Sequence, residues 1–167
     1  MTRTPPKHNQ GFTLAEALLA AVVLATTITA ITMPFTAGAQ NEQVEARRAM
    51  AMSLAHELME EILAKPFHDA GRTFVPGPGP GETTRWDFTN MDAYDGYYEA
   101  PGQIKALDGQ LVTDPAAYGL SREVSAAYVY VSGQDTSEDP TFIRITVTVK
   151  FGELSLISLE RLAYSME

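Results

Sequence analysis

The sequence predicts an α+β protein: a long N-terminal helix, membrane-spanning in its first half and amphipathic in its second, packed on a three- or four-stranded antiparallel sheet. Three observations carry this. An apolar run from Phe12 to Met33 is interrupted by a single charge, Glu16. A stripe of apolar side chains recurs at helical spacing between Met50 and Leu63, and strict apolar/polar alternation runs from Ile143 to Phe151. A chain of 167 residues with 45% hydrophobic content can bury one modest core and carry an appendage, but cannot build two full domains.

The N-terminus comes first. Residues 1–11 are polar, carry Arg3 and Lys7, and contain a Pro5-Pro6 pair that opposes helix before Gly11; they read as a short cytoplasmic leader. Residues 12–35 read as the membrane segment. A helix from Phe12 to Met33 would span roughly 33 Å, close to the ~30 Å hydrocarbon core of a bilayer. Basic residues precede this stretch, so the positive-inside bias holds the leader in the cytoplasm and sends the remainder outward across the membrane.

Two plain alternatives exist: a secretory signal peptide cut after Ala37-Gly38-Ala39 to release a secreted binding domain, and a permanent single-span anchor. Neither explains Glu16, because a carboxylate in a lipid-facing helix costs about 2.5–3.5 kcal/mol at mid-membrane. Such a group calls for a partner.

The stretch Gly11-Phe12-Thr13-Leu14-Ala15-Glu16, with a basic leader before it and a long apolar run behind, resembles the processing motif of type IV prepilins and type II secretion pseudopilins. The resemblance implies that a prepilin peptidase cuts between Gly11 and Phe12 and that Phe12 becomes the N-methylated terminus. It also implies that Glu16 is the filament-assembly residue. The implied partners are that peptidase, other pilin or pseudopilin subunits, an inner-membrane assembly platform and membrane lipid. A Glu16 carboxylate among apolar helices would seek the new ammonium of a neighbouring subunit, so its burial would be tolerable only in the correct stagger. Pairing with its own Phe12 amine, one turn away, is the intramolecular alternative. The helix further on resembles that of minor pilins.

Pro34 removes one N–H and crowds the preceding turn, which predicts a helix kink near Ala30 to Pro34. Residues 36–66 then form the amphipathic half. Met50, Leu54, Leu58 and Ile62, with Ala51, Ala55, Met59 and Leu63 beside them, face a sheet, while Glu45, Arg48, Ser53, Glu57, Glu60 and Glu61 lie opposite. Lys65-Pro66 ends the helix, the lysine near the negative end of its dipole.

Residues 67–167 make the extracytoplasmic domain, opening with a long loop over 67–120. Gly77-Pro78-Gly79-Pro80-Gly81 suits neither helix nor ladder. A short strand is expected around Trp86 and Phe88, then a turn at Asp95-Gly96. Asp87, Asp92 and Asp95, with Asn90, are weak calcium candidates: clustered oxygens suit that ion, but the spacing is not that of an EF-hand and turn chemistry explains them better. Tyr94, Tyr97 and Tyr98 suit a lid over the sheet or a subunit contact better than a sugar platform. Strands follow over Arg122 to Ser132, Ile143 to Phe151 and Leu154 to Tyr164, the last two joined by a hairpin at Gly152-Glu153.

The composition excludes much. With 12 basic against 21 acidic residues, the net charge is −9, and no basic patch is interleaved with aromatics, so nucleic acid is not an expected partner. The absence of cysteine removes disulfides, thiolate metal sites and cysteine nucleophiles. His56 and Glu60 share a helix face but lack the second histidine of a zinc-protease motif, and His68 has no evident partner in sequence. No phosphate loop or nucleophile elbow occurs, so no enzyme and no cofactor are expected. The expected role is structural: a minor pilin or pseudopilin of a type IV pilus or a type II secretion pseudopilus.

Overall fold

The computed structural model describes residues 12–68, 71, 73–135 and 138–164, the side chains of 31–37, 39 and 40 lying outside that description. Gly11 and the leader therefore fall outside the described residues. The fold is α+β. One α-helix, α1, runs Leu14–Leu63, and a four-stranded antiparallel sheet has the order β1-β2-β3-β4, with β1 Tyr98–Glu99, β2 Leu120–Val129, β3 Phe142–Phe151 and β4 Leu154–Tyr164. Two 3-10 turns, Asp92–Tyr94 and Pro115–Ala117, sit in the long connection before β2. The chain divides into two compact units, one ending at Gln43 and one covering Val44–Glu167.

In the first unit the large apolar side chains point outward in every direction. Leu14, Leu18, Leu19, Val22, Val23, Leu24 and Ile28 are all exposed, and at about 100° per residue they cover the whole circumference. Thr26 and Thr27 donate their hydroxyls to the Val23 carbonyl at 2.9 and 2.7 Å, and Thr29 donates to Ala25 at 2.8 Å. These hydroxyls are thus satisfied within the helix. α1 continues through Pro34, so the proline does not end it. Among the described residues no helix is long and apolar enough to cross a membrane. The expected span to Met33 extends past Ala30, the last described side chain of that stretch.

In the second unit, α1 buries the expected stripe. Ala51, Leu54, Ala55, Leu58, Met59 and Ile62 form the core with Leu120, Val124 and Ala126 of β2 and Ile143, Ile145, Val147 and Val149 of β3. The alternation read in β3 is the burial pattern of that strand: its odd-numbered residues 143 to 149 are buried and Arg144 is exposed. The hairpin Phe151↔Leu154 closes on Gly152 at φ +58° with no positive φ at Glu153, the signature of a type II′ turn. The β3–β4 register shifts between Val149 and Lys150, a bulge that bends the outer strand. Gly119, at φ +78°, lets the Phe151 ring lie where a Cβ would stand 2.7 Å from Cε2. The same ring carries the Arg47 guanidinium, 4.1 Å from its centroid.

Three local expectations are corrected. The stretch around Trp86 and Phe88 is turn, not strand, because Asp87 caps it: its Oδ2 accepts the Thr84 N–H and hydroxyl at 2.9 and 2.8 Å. The short strand lies instead at Tyr98–Glu99, paired with Glu123 and Arg122. Glu61, expected on the solvent face, turns inward to Arg85.

Candidate functional site

Two places in the described residues gather functional chemistry, one in each unit. At the start of α1, Thr13 donates its N–H and its hydroxyl to Glu16 Oε2, both at 2.9 Å, and Glu16 N–H donates back to Thr13 Oγ1 at 3.3 Å. Thr13-Leu14-Ala15-Glu16 is therefore a capping box, with threonine as N-cap and glutamate three residues on. This reciprocal bonding was legible as a Thr-x-x-Glu spacing before an apolar run. Glu16 thus has a partner inside its own chain, the Thr13 backbone N–H, one residue from the Phe12 amine weighed above. Phe12, Glu16, Leu19, Ala20, Val23 and Thr27 share one face of the helix. Phe12 is 85% exposed, so the first large apolar group and the only acid of this stretch stand open side by side.

The second unit is organised around four buried or half-buried charges. Arg85 grips Glu61 through Nε, 2.8 and 2.9 Å from its two oxygens, and through Nη2. Arg122, fully buried on β2, donates Nε to Glu99 Oε2 of β1 at 2.6 Å, and its Nη1 reaches the Leu54 carbonyl of α1 at 2.8 Å. Both guanidinium groups converge on one carbonyl, that of Lys105, at 2.9 and 3.0 Å. The Lys105 N–H in turn donates to Glu99 Oε1 at 3.0 Å. Two cations and two anions, each hydrogen-bonded, tie helix, sheet and loop together. Buried charges are tolerated only when paired in this way.

Titration follows from these contacts. Burial works against charge at Glu61, but the hydrogen bonds from Arg85 and Tyr94 and the guanidinium charge win, holding its carboxyl below the usual 4.5. Arg85 also meets a burial cost that its bonds and proximity to Glu61 and Glu99 outweigh, so it stays firmly protonated. Burial first, then the Glu99 charge, push the Tyr97 hydroxyl up to about 12.

The aromatic cluster is mostly core. Tyr94 is fully buried, donates to Glu61 Oε1 at 2.7 Å and packs edge-on to Phe88, whereas Tyr98 is exposed on β1. Of the calcium candidates, Asp87 caps its turn, Asp95 Oδ1 accepts from the Ala126 N–H at 2.8 Å, and Asp92 is fully buried. Asp92 Oδ2 accepts from the Tyr128 hydroxyl at 2.5 Å, and that hydroxyl also meets His68 Nδ1 at 2.9 Å. The three aspartates are thus committed to separate tasks, and no group of three or more acidic or histidine side chains that could hold a metal ion occurs among the described residues. His68 acquires, across the fold, the partner its local sequence did not show.

Comparison of the chain with protein-family models, with curated proteins and with solved structures returns no match.

Proposed function

We propose that this chain is a structural subunit, a minor pilin or pseudopilin, matured by a prepilin peptidase between Gly11 and Phe12 and assembled through its N-terminal helix into a type IV pilus or type II secretion pseudopilus. It is held in the inner membrane before assembly, with the Val44–Glu167 unit outside. One observation carries this reading: the described start of α1 is apolar and exposed on every side, with Glu16 as its only charge. A helix apolar all round needs lipid or other helices around it. The internally bonded threonine hydroxyls suit the same surroundings, since in lipid no water would satisfy them.

The capping box sharpens the role of Glu16. In the full chain its carboxylate holds the first turn; after removal of residues 1–11 the new Phe12 ammonium of a neighbouring subunit would compete for it. Thr13→Ala removes the cap but keeps the acid, and Glu16→Ala removes both. Filament incorporation is expected to survive the first and fail in the second. Equal incorporation by both variants would reduce Glu16 to a helix cap. Intact mass supplies the other test: a mature chain beginning at methylated Phe12 supports the proposal, and one beginning at Gln40 would establish instead a secreted binding domain released after Ala39.

A further inference from the structure

Above the charge network lies a pocket of about 630 Å³ between the loop at Thr83–Trp86 and β1. That size is in the range of small-molecule sites, ~300–1,000 Å³. Its wall combines three kinds of group. Trp86 offers a broad ring, half exposed, and Tyr98 a second exposed ring. Thr83, Thr84 and Gln103 supply hydroxyl and amide groups, and Lys105 supplies an ammonium.

The Trp86 ring and the backbone of Lys105 are held in place. The buried Arg85 guanidinium stands 4.9 Å from the Trp86 ring centroid, and Gly109, at φ +82°, brings the loop so close that a Cβ there would lie 3.1 Å from Cζ2. The ring is packed from within while half its surface stays open. The backbone of Lys105 is pinned by three hydrogen bonds to Arg85, Arg122 and Glu99. Its ammonium, 5.8 Å from the same ring, makes no ion pair among the described residues. The neighbouring guanidinium charges are already matched by Glu61 and Glu99, so Lys105 is the uncompensated charge of the pocket. Side chains fixed before binding lose little entropy on binding.

The geometry points to a binding site for a carboxylate-bearing saccharide. A pyranose presents one face of C–H bonds, which suits Trp86, and a rim of hydroxyls, which suits Thr83, Thr84 and Gln103. A uronic-acid carboxylate meets Lys105. An otherwise acidic chain would repel such a ligand over most of its surface and admit it where a cation stands free. This site belongs to the Val44–Glu167 unit and does not depend on filament assembly.

The chain has a single tryptophan, so selectively excited tryptophan fluorescence reports on this pocket. The full-length chain in detergent micelles is titrated with trigalacturonic acid and with maltotriose, with calorimetry as a second readout for variants. Saturable quenching by trigalacturonate is expected in the parent, with the affinity read by calorimetry weakened about tenfold or more in Lys105→Gln and in Trp86→Ala, and maltotriose at least about tenfold weaker. Lys105→Gln keeps the backbone contacts and so tests the site even if Trp86→Ala does not fold. Absence of saturable binding, equal binding of the neutral sugar, indifference to Lys105→Gln, or tighter binding of a hexaglutamate peptide than of trigalacturonate would each overturn the proposal.

Discussion

Replacing Arg122 by methionine removes the guanidinium on which α1, β1 and β2 converge while keeping much of its aliphatic bulk. Glu99, 5% exposed, would then retain the Lys105 N–H at 3.0 Å and the Arg85 Nη1 at 3.6 Å, but lose two charge-assisted bonds to Oε2. The carbonyls of Leu54 and Lys105 also lose a donor each, although Lys105 keeps Arg85. Breaking one partner of a buried ion pair costs about 3–5 kcal/mol. Against a total of ~5–15 kcal/mol for a domain, that is about a fifth or more of the stability. With a urea slope of about 2 kcal/mol per molar, the unfolding midpoint should fall by roughly 1.5–2.5 M. The assay is urea titration followed in parallel by Trp86 emission and by far-ultraviolet circular dichroism. Adding Glu99→Gln removes the stranded charge, so the double variant is expected to be no less stable than Arg122→Met alone, giving a positive coupling in the cycle. A midpoint loss under about 0.5 M, or strictly additive variants, would refute the view that this pairing holds helix to sheet.

Acid should weaken the same network. Because the Glu61 pKa is lowered in the folded protein, its contribution is fully present above the ordinary value of 4.5 and is lost as pH falls through the lower folded value. Melting temperature should therefore drop below about pH 4.5 in the parent and less steeply in Glu61→Gln, as calorimetry across that interval would show. Gly119→Ala combines a left-handed backbone with a Cβ 2.7 Å from Phe151 Cε2, and should cost about 1–3 kcal/mol. Gly152→Ala, with nothing within 4 Å, should lose less in the same thermal melts.

Much of the architecture was written locally. The stripe from Met50 to Leu63, the alternation in β3 and the Gly152-Glu153 hairpin each depend on residues a few places apart, where period and turn chemistry speak directly. What could not be read depends on meetings across the fold. Glu61 and Arg85 are 24 positions apart, and Arg122 reaches Leu54 across 68. Nothing near Glu61 distinguishes it from Glu60, which stays exposed. Tyr94 and Asp92 look like surface residues until the 3-10 turn carries them into the core. At the N-terminus the apolar run and its single acid are plain in sequence, whereas the Thr13–Glu16 cap rests on a Thr-x-x-Glu spacing that a lone acid in an apolar run masks.

The strand order 1-2-3-4 lets each strand pair with its neighbour as soon as both exist, yet α1 can settle only against side chains that extend to Val149. During synthesis the Leu54–Ile62 surface therefore emerges long before its cover, and at roughly 5–20 residues per second that interval is on the order of ten seconds. For that time the ribosome displays a greasy ridge with no lid of its own. Slowing translation between codons 64 and 149 should therefore aggravate aggregation more than slowing it anywhere later.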